Sequence, residues 1–437
     1  MFMEQKTKFK QTEIGMIPEE WEIDGIETIY NISSGLSKPR EEFGSGFPFV
    51  SFMDIFSNFS LPKNLSQLVN SSERERKACS VRRGDVFLTR TSETQEELGM
   101  SSVALKNYES ATFNGFSKRL RPRNDGRIFP EFAAYLFRSR IIRNQILAFS
   151  SLTTRASLNA ESIRRIKLIL PPLPEQRAIT KILSDLDSKI ELNQRMNQTL
   201  ESIAQALFKR WFVDFEFPDE KGRPYKSNGG KMKQTELGKI PDDWNFSVLP
   251  ELTSIVDCLH TKKPEKLDSG KILLQFYNLT PNHDLDMSNP YYVSESDYNQ
   301  WTKNICVRDG DILFTNAGRQ AIAKVPYWFK GGMGRNITAV RAEKIDASYL
   351  FYYFLSSHGE KQITKNLDEG TIFSSLNVKG IRKIIILVPP KELQNSFYNI
   401  ASKIRCTTEI NNIENQKLSQ IRDSLLPKLM SGQIRVR

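Results

Sequence analysis

The sequence predicts an α+β protein in which two duplicated mixed α/β domains are separated by two long coiled-coil helices in a pseudo-twofold arrangement. Three observations predict it. Residues 11–21, QTEIGMIPEEW, return at 234–244 as QTELGKIPDDW, with seven of eleven letters identical. The match then continues: Gly84-Asp85-Val86-Phe87-Leu88-Thr89 answers to Gly310-Asp311-Ile312-Leu313-Phe314-Thr315, Ser157-Leu158-Asn159 to Ser375-Leu376-Asn377, and Pro171-Pro172 to Pro389-Pro390. Finally, each Pro pair opens onto some 40 residues of helical periodicity. A repeat of about 220 residues is a duplicated domain, not a solenoid unit. The offset drifts from 223 to 226 to 218, which places loops of unequal length between shared framework pieces.

Within each repeat, the runs VFLT, ILFT, IRRIKLIL and IRKIIILV are rich in branched residues and read as short strands. Helical patterns fall near 130–148 and 347–365. In the opening motif, Gly15/Gly238 and Pro18/Pro241 read as turn framework and Trp21/Trp244 as packed anchors. The segment 213–233 carries Pro, Gly, Lys and Asn and reads as a linker.

Residues 174–212 contain no Pro after Pro174 and no Gly. Leu183, Leu186, Ile190, Asn193, Asn197, Leu200, Ala204, Leu207 and Trp211 step by three and four, as a coiled-coil seam does. The second copy gives Ala401, Ile404, Thr408, Asn411, Asn415, Leu418, Arg422, Leu425 and Leu429, with Pro427 expected to end or kink it. At ~1.5 Å per residue such a helix is roughly 58 Å long, more than one domain needs. Asn193, Asn197, Asn411 and Asn415 share seam positions. Buried Asn sets register in a coiled coil; exposed Asn would be plain polar surface. An antiparallel pair would bring Asn193 to Asn415 and Asn197 to Asn411.

The chain carries 62 Lys+Arg against 51 Asp+Glu, a net charge of +11. That balance suits an acidic partner, nucleic acid first, although a merely basic protein is the plain alternative. Cys79, Cys258, Cys306 and Cys406 are scattered without a CxxC pair, which fits a reducing compartment. No apolar run approaches the ~18–20 residues of a membrane span, and the N-terminus lacks the apolar core of a signal peptide, so a cytoplasmic protein is expected.

Catalytic patterns fail one by one. Ser288-Asn289-Pro290-Tyr291-Tyr292 lacks the second Pro of an amino-methyltransferase tetrapeptide and has no counterpart in the first repeat. Pro218-Asp219-Glu220-Lys221 compresses a nuclease pattern into a linker. There is no phosphate-binding loop. His260, His283 and His358 lack ligand or triad spacing, and Gly331-Gly332-Met333-Gly334 reads as a turn. No metal or cofactor is expected in this chain.

What remains are basic and hydroxyl-bearing clusters on loops, of the types that read base edges and grip phosphates; for any one, a solvated loop is the bland alternative. Thr89 and Arg90 follow a strand and face Thr315, Asn316 and Arg319 in the second copy. Lys118 and Arg119 follow Asn114-Gly115-Phe116, Thr154 and Arg155 precede SLN, and Arg335 is a further candidate in the second half. The framework matches while these clusters differ, as two readers with different targets would.

GxIPxxW opening each half, the Gly-Asp strand, and TRASLN leading to LILPPLPEQRAI together resemble the specificity subunit of type I restriction–modification enzymes, over residues 11–430. The second copy departs from the pattern, with VPPKELQ for PPLPEQR. The resemblance implies target recognition domains at 11–172 and 234–389, spacer helices at 173–214 and 390–430 forming an antiparallel pair, and a linker at 215–233. It implies double-stranded DNA as partner, read as two half-sites. It also implies methyltransferase subunits carrying S-adenosylmethionine, and restriction subunits that use ATP and Mg and join through the complex. The chain itself would be non-catalytic. A bivalent DNA-binding regulator acting alone, or a methyltransferase or nuclease with unrecognised motifs, are the rival readings.

Overall fold

The computed structural model describes residues 8–123, 126–152, 156–236, 238–316, 320–368 and 375–436. The chain divides into two compact units, Met1–Glu191 with Glu414–Arg437, and Leu192–Ile413. The division falls inside the long helices, not at the Pro pairs. Each unit takes part of both helices into its own core: Ile179, Leu183, Leu429 and Met430 pack in the first, and Ala204, Phe208, Trp211, Phe397 and Ala401 in the second.

The opening motif of each unit is a two-stranded ribbon, Phe9–Thr12 with Gly15–Pro18 and Met232–Thr235 with Gly238–Pro241. Its letters have physical reasons. Gly15 and Gly238 sit at φ 116° and 115°, a region that glycine enters freely. The Thr12 and Thr235 hydroxyls donate to the carbonyls of those glycines, at 2.5 and 2.6 Å. Trp21 and Trp244 are fully buried.

The centre of the first unit is a four-stranded antiparallel sheet in the order Tyr30–Ser34, Ser117–Pro122, Val86–Thr89, Ser101–Val103. The second unit repeats it as Thr253–Asp257, Ile337–Ala342, Ile312–Thr315, Ile322–Lys324. A three-stranded sheet stands beside each: Thr112–Phe113, Phe43–Val50 and Gln67–Val69 in one, Tyr292–Val293, Lys271–Leu274 and Gly332–Met333 in the other. The Gly331–Gly334 run is therefore not a simple turn. Gly332 and Met333 pair with Leu273 and Leu274, and a Cβ on Gly332 would stand 2.9 Å from the Leu273 side chain. The expected helical stretches are each two helices, Pro130–Leu136 and Arg140–Phe149, then Ala347–Leu355 and Ser357–Lys365.

The Gly-Asp motif is a clamp. Asp85, fully buried, accepts both prongs of Arg121 at 2.8 and 2.6 Å and the Arg82 N–H at 2.7 Å. Asp311 repeats this with Arg341 at 2.8 and 2.6 Å and the Arg308 N–H at 2.9 Å. The helix entrances share a second anchor. Gln176 accepts from the Phe129 N–H and donates to the Pro171 carbonyl; Gln394 accepts from the Asp346 N–H and donates to the Pro389 carbonyl. VPPKELQ and PPLPEQR thus keep the same Gln at the same place.

The first long helix runs Leu173–Phe208 and continues as a π-helical turn, Lys209–Val213; the second runs Lys391–Met430. Pro427 lies within the second and does not end it. In the final turn a proline removes one N–H from a ladder that is about to close anyway. Every predicted seam position is buried or half-buried. The 215–233 segment is packed, not free: Phe215 is buried, and Phe217 stacks between Tyr225 and Trp244 at ring distances of 4.5 and 5.5 Å. Among the described residues no helix is long and apolar enough to cross a membrane.

Candidate DNA interface

The strand ladders align the two units position by position. In the first sheet Ser117 pairs with Thr89 and Lys118 with Ser34; in the second Ile337 pairs with Thr315 and Thr338 with Asp257. The chain leaves the central strand the same way in both. The Arg90 N–H donates to the Phe116 carbonyl at 2.8 Å, and the Asn316 N–H to the Asn336 carbonyl at 2.9 Å. Arg90 and Asn316, Phe116 and Asn336, Gly115 and Arg335 are therefore structural equivalents.

In the first unit this site gathers two of the expected residues. Arg90 is exposed; Lys118 is half-buried and donates to the Ser34 hydroxyl at 2.7 Å. Burial, and then the nearby Arg90 cation, lower the Lys118 pKa, so the two positive groups share one neighbourhood. Phe116, whose carbonyl accepts the Arg90 N–H, and Met53 are 68% and 59% exposed, a degree unusual for such large apolar side chains. With Phe52, Phe56, Thr91, Ser92 and the acidic Glu93 and Glu97 they line a shallow hollow of about 420 Å³.

Three expected contacts belong to the interior instead. Thr89 is fully buried, and Thr315, 4% exposed, accepts the Ala321 N–H at 2.8 Å. Arg119 is 7% exposed, lies over the Phe113 ring and donates to the Ser80 carbonyl at 2.6 Å. Burial lowers its pKa. The reason is strand alternation. Arg119 pairs with Phe87 and faces the core side, whereas its neighbour Lys118 faces outward. Thr154, Arg155 and Arg319 lie outside the described residues.

In the second unit the equivalent place has different chemistry. Asn316 is half-buried. Its amide donates to the Thr338 hydroxyl oxygen at 2.9 Å and to Asp257 Oδ1 at 3.4 Å. Asp257 Oδ2 meets His260 Nε2 at 2.9 Å, with His260 exposed. Arg335 and Asn336 are exposed, Asn336 in the left-handed region at φ 63°. Sequence reasoning did not name Asp257, and it set His260 aside for lack of ligand or triad spacing. Asp257 ends an edge strand and His260 follows three residues later; only the register shows that Asp257 occupies the position of Ser34.

Asp257, Cys258 and His260 are also the one group among the described residues whose ligand atoms lie close enough to share a metal, within 4.8 Å. Three ligands fall short of the four of a structural zinc site, and the ring nitrogen nearest the carboxylate is already spent on it.

The expected Asn197–Asn411 contact is present within the second unit. Asn411 Nδ2 donates to Asn197 Oδ1 at 2.8 Å, and Asn197 Nδ2 to Asn412 Oδ1 at 2.8 Å. Asn411 is buried and Asn197 half-buried, where the two helices run antiparallel. Asn193 is fully buried and Asn415 half-buried.

A duplicated α+β reader, with a constant frame and divergent side chains at equivalent exits, is the design of a sequence-specificity protein. Comparison with known proteins agrees. The type I restriction modification DNA specificity domain matches residues 18–202 and 241–420, and the chain belongs to that family. It is similar to the MjaIX type I restriction enzyme specificity subunit of Methanocaldococcus jannaschii, 26% identical over 447 residues, 99% of this chain and 97% of the relative. It is also similar to the HindI specificity subunit of Haemophilus influenzae, at 25% identity over 92% of this chain and 98% of the relative. The crystal structure of a type I system S subunit from M. genitalium shares the fold, with a TM-score of 0.56 and 15% identity over 98% of each chain. The chain is a DNA-specificity subunit of a type I restriction–modification system, a non-catalytic component.

Proposed function

We propose that each unit reads one half of a bipartite DNA site in the cytoplasm, and that the long helices dock methyltransferase subunits, through which restriction subunits join. One observation carries this reading: the two units hold the same backbone exit, closed by the same hydrogen bond, yet place Arg90 on it in one and Asn316 in the other. A long guanidinium pairs bidentately with guanine and a carboxamide with adenine. Arg335 adds a second exposed cation to the same loop region. For docking, Leu192, Met196 and Ile203 lie on one face of the first helix and are 52%, 37% and 50% exposed, an apolar stripe at helical spacing.

The test is binding of the full chain with its methyltransferase partner to duplexes carrying each single-base change of the mapped site. Arg90→Ala should cost ~1–3 kcal/mol at one position of one half-site and relax discrimination there. If it weakens all duplexes equally and lowers the salt slope by about one, Arg90 holds a phosphate and the reading of that residue fails. A chain that binds its site alone and does not co-purify with a methyltransferase would favour the stand-alone regulator.

A further inference from the structure

We infer that the two reading sites are of opposite chemical character: the first unit selects a base that offers acceptors, guanine, through Arg90 and Lys118, and the second selects a base that offers an amino donor, adenine or cytosine, through Asp257 and Asn316. This rests on the proposal that these strand exits read DNA. It goes further in assigning base classes and in giving Asp257 a role.

The inference comes from register. Lys118 lies opposite Ser34 on the ladder, and Thr338 lies opposite Asp257. Each substitution between the copies therefore occurs at a fixed place on the same frame. The first unit's three positions, Ser34, Arg90 and Lys118, hold two cations whose nitrogens can only donate. The second unit's three, Asp257, Asn316 and Thr338, hold a carboxylate that can only accept, and an amide and a hydroxyl that do both. The bonds are arranged to match. Lys118 Nζ is steadied by Ser34 at 2.7 Å with donors to spare. The Asn316 amide is fixed by Thr338, with bonds of 2.9 and 3.0 Å, and lies beside the carboxylate. His260 holds Asp257 Oδ2 at 2.9 Å, which orients the carboxylate while its side chain stays 34% exposed.

Phosphate gripping does not explain Asp257. The Cys258 N–H, at 2.8 Å from Oδ1, and His260 each take one acceptor site of Asp257 and leave others open; a carboxylate facing DNA repels the backbone, so it costs affinity unless those open sites meet an amino group. In the major groove those groups are cytosine N4 and adenine N6; guanine presents only the acceptors O6 and N7. Arg335 and the local peptide dipoles can offset the repulsion, since Arg335 sits two residues before the Ile337–Ala342 strand and is exposed.

The experiment uses the full chain with its methyltransferase partner, and duplexes in which every base pair of both half-sites is replaced in turn. Asp257→Asn keeps the shape and removes the pure acceptor. It should reduce discrimination roughly 10- to 100-fold at one position, where the wild type requires adenine or cytosine, and leave the other half-site untouched. Lys118→Ala and Arg90→Ala should relax a guanine in that other half-site. The triple change Asp257→Ser, Asn316→Arg, Thr338→Lys should move the affected position toward guanine. Uniform weakening by Asp257→Asn, or an invariant guanine at the position it controls, overturns the inference. If Asp257→Asn does nothing while Arg90→Ala still relaxes one position, the base-class assignment fails and the two-reader proposal stands. If both act uniformly, the proposal itself fails. Thermal unfolding of each variant separates lost contacts from lost structure.

Discussion

Arg341→Met should cost the second unit about 3–5 kcal/mol. Arg341 gives Asp311 two charge-assisted hydrogen bonds at 2.8 and 2.6 Å and a third bond, at 3.0 Å, to the Cys306 carbonyl. The Asp311 side chain is 2% exposed, so water cannot replace the lost donors. The carboxylate keeps only its bond from the Arg308 N–H among those that held it on this side. A charge stranded in this way costs ~3–5 kcal/mol, more than the net worth of the pair, because the desolvation already suffered is no longer compensated. Urea unfolding followed by fluorescence of Trp244 and Trp301, both buried in this unit, reads the loss as a shift in midpoint at constant slope. Adding Asp311→Leu should restore a good part of the stability, since both charges are then gone. Arg121→Met should repeat the effect on Asp85 in the first unit. A loss under about 1 kcal/mol for Arg341→Met, or no recovery in the double variant, would refute the claim that the Gly-Asp motif is a buried clamp.

Three further outcomes follow from named contacts. Trp21→Phe removes the donor at 2.8 Å to buried Glu175, whereas the Trp244 N–H has no partner among the described residues; paired unfolding of Trp21→Phe and Trp244→Phe should therefore differ by ~1–3 kcal/mol, and equal losses would deny the hydrogen bond a role. Asn197→Leu alone should destabilise, by stranding Asn411, while Asn197→Leu with Asn411→Leu should match or exceed the wild type, measured by the same unfolding assay; a double variant weaker than either single one contradicts this. Burial, and then Lys361, lower the His358 pKa from its usual 6.5, so the folded protein binds that proton less readily than the unfolded chain. Stability from this site is complete above pH ~6.5 and falls as pH drops through the lowered value, and His358→Gln should flatten that part of the pH–stability curve.

The duplication, the Gly-Asp strands, the long helices and the Asn197–Asn411 contact were all legible because each leaves a pattern along the chain. Periodicity marks a seam whether or not its partner is known. What the chain hides is direction across a strand. Lys118 and Arg119 are adjacent letters of one type, but one faces out and the other lies over Phe113, donating to a carbonyl. Thr89 and Thr315 ended strands in the right place and still point inward. The compact units divide inside the long helices for a related reason: a Pro pair marks where the backbone changes course, while a core is bounded by contact. The 215–233 segment has a linker's composition, yet Phe215, Phe217 and Tyr225 tie it to Trp244. Asp257 was invisible because its importance lies in what it replaces, and Ser34 and Asp257 become comparable only once the ladders are known.

Charge shows the same limit from another side. The net +11 pointed correctly to nucleic acid, but part of the positive charge is internal. Arg138, its pKa pushed down to about 10 by burial, donates to the carbonyls of Ser101, Ile55, Phe56 and Asn58. Arg119 and Arg143 serve backbone carbonyls likewise, and Lys324 is buried against Ser348. Substitution at these positions, or at Asp85, Asp311, Gln176 and Gln394, strands a buried partner and costs stability. Arg90 differs: its bonds to the frame, from its N–H to Phe116 and from Leu158 to its carbonyl, are backbone bonds indifferent to the side chain, whereas Asn316 makes the equivalent N–H bond and also ties its amide to Thr338. Free energy of folding thus resides in the buried set, which is distinct from the exposed Arg90 proposed to select a base. On the proposed reading, a duplicated chain built this way can change what it reads at Arg90 without endangering its fold.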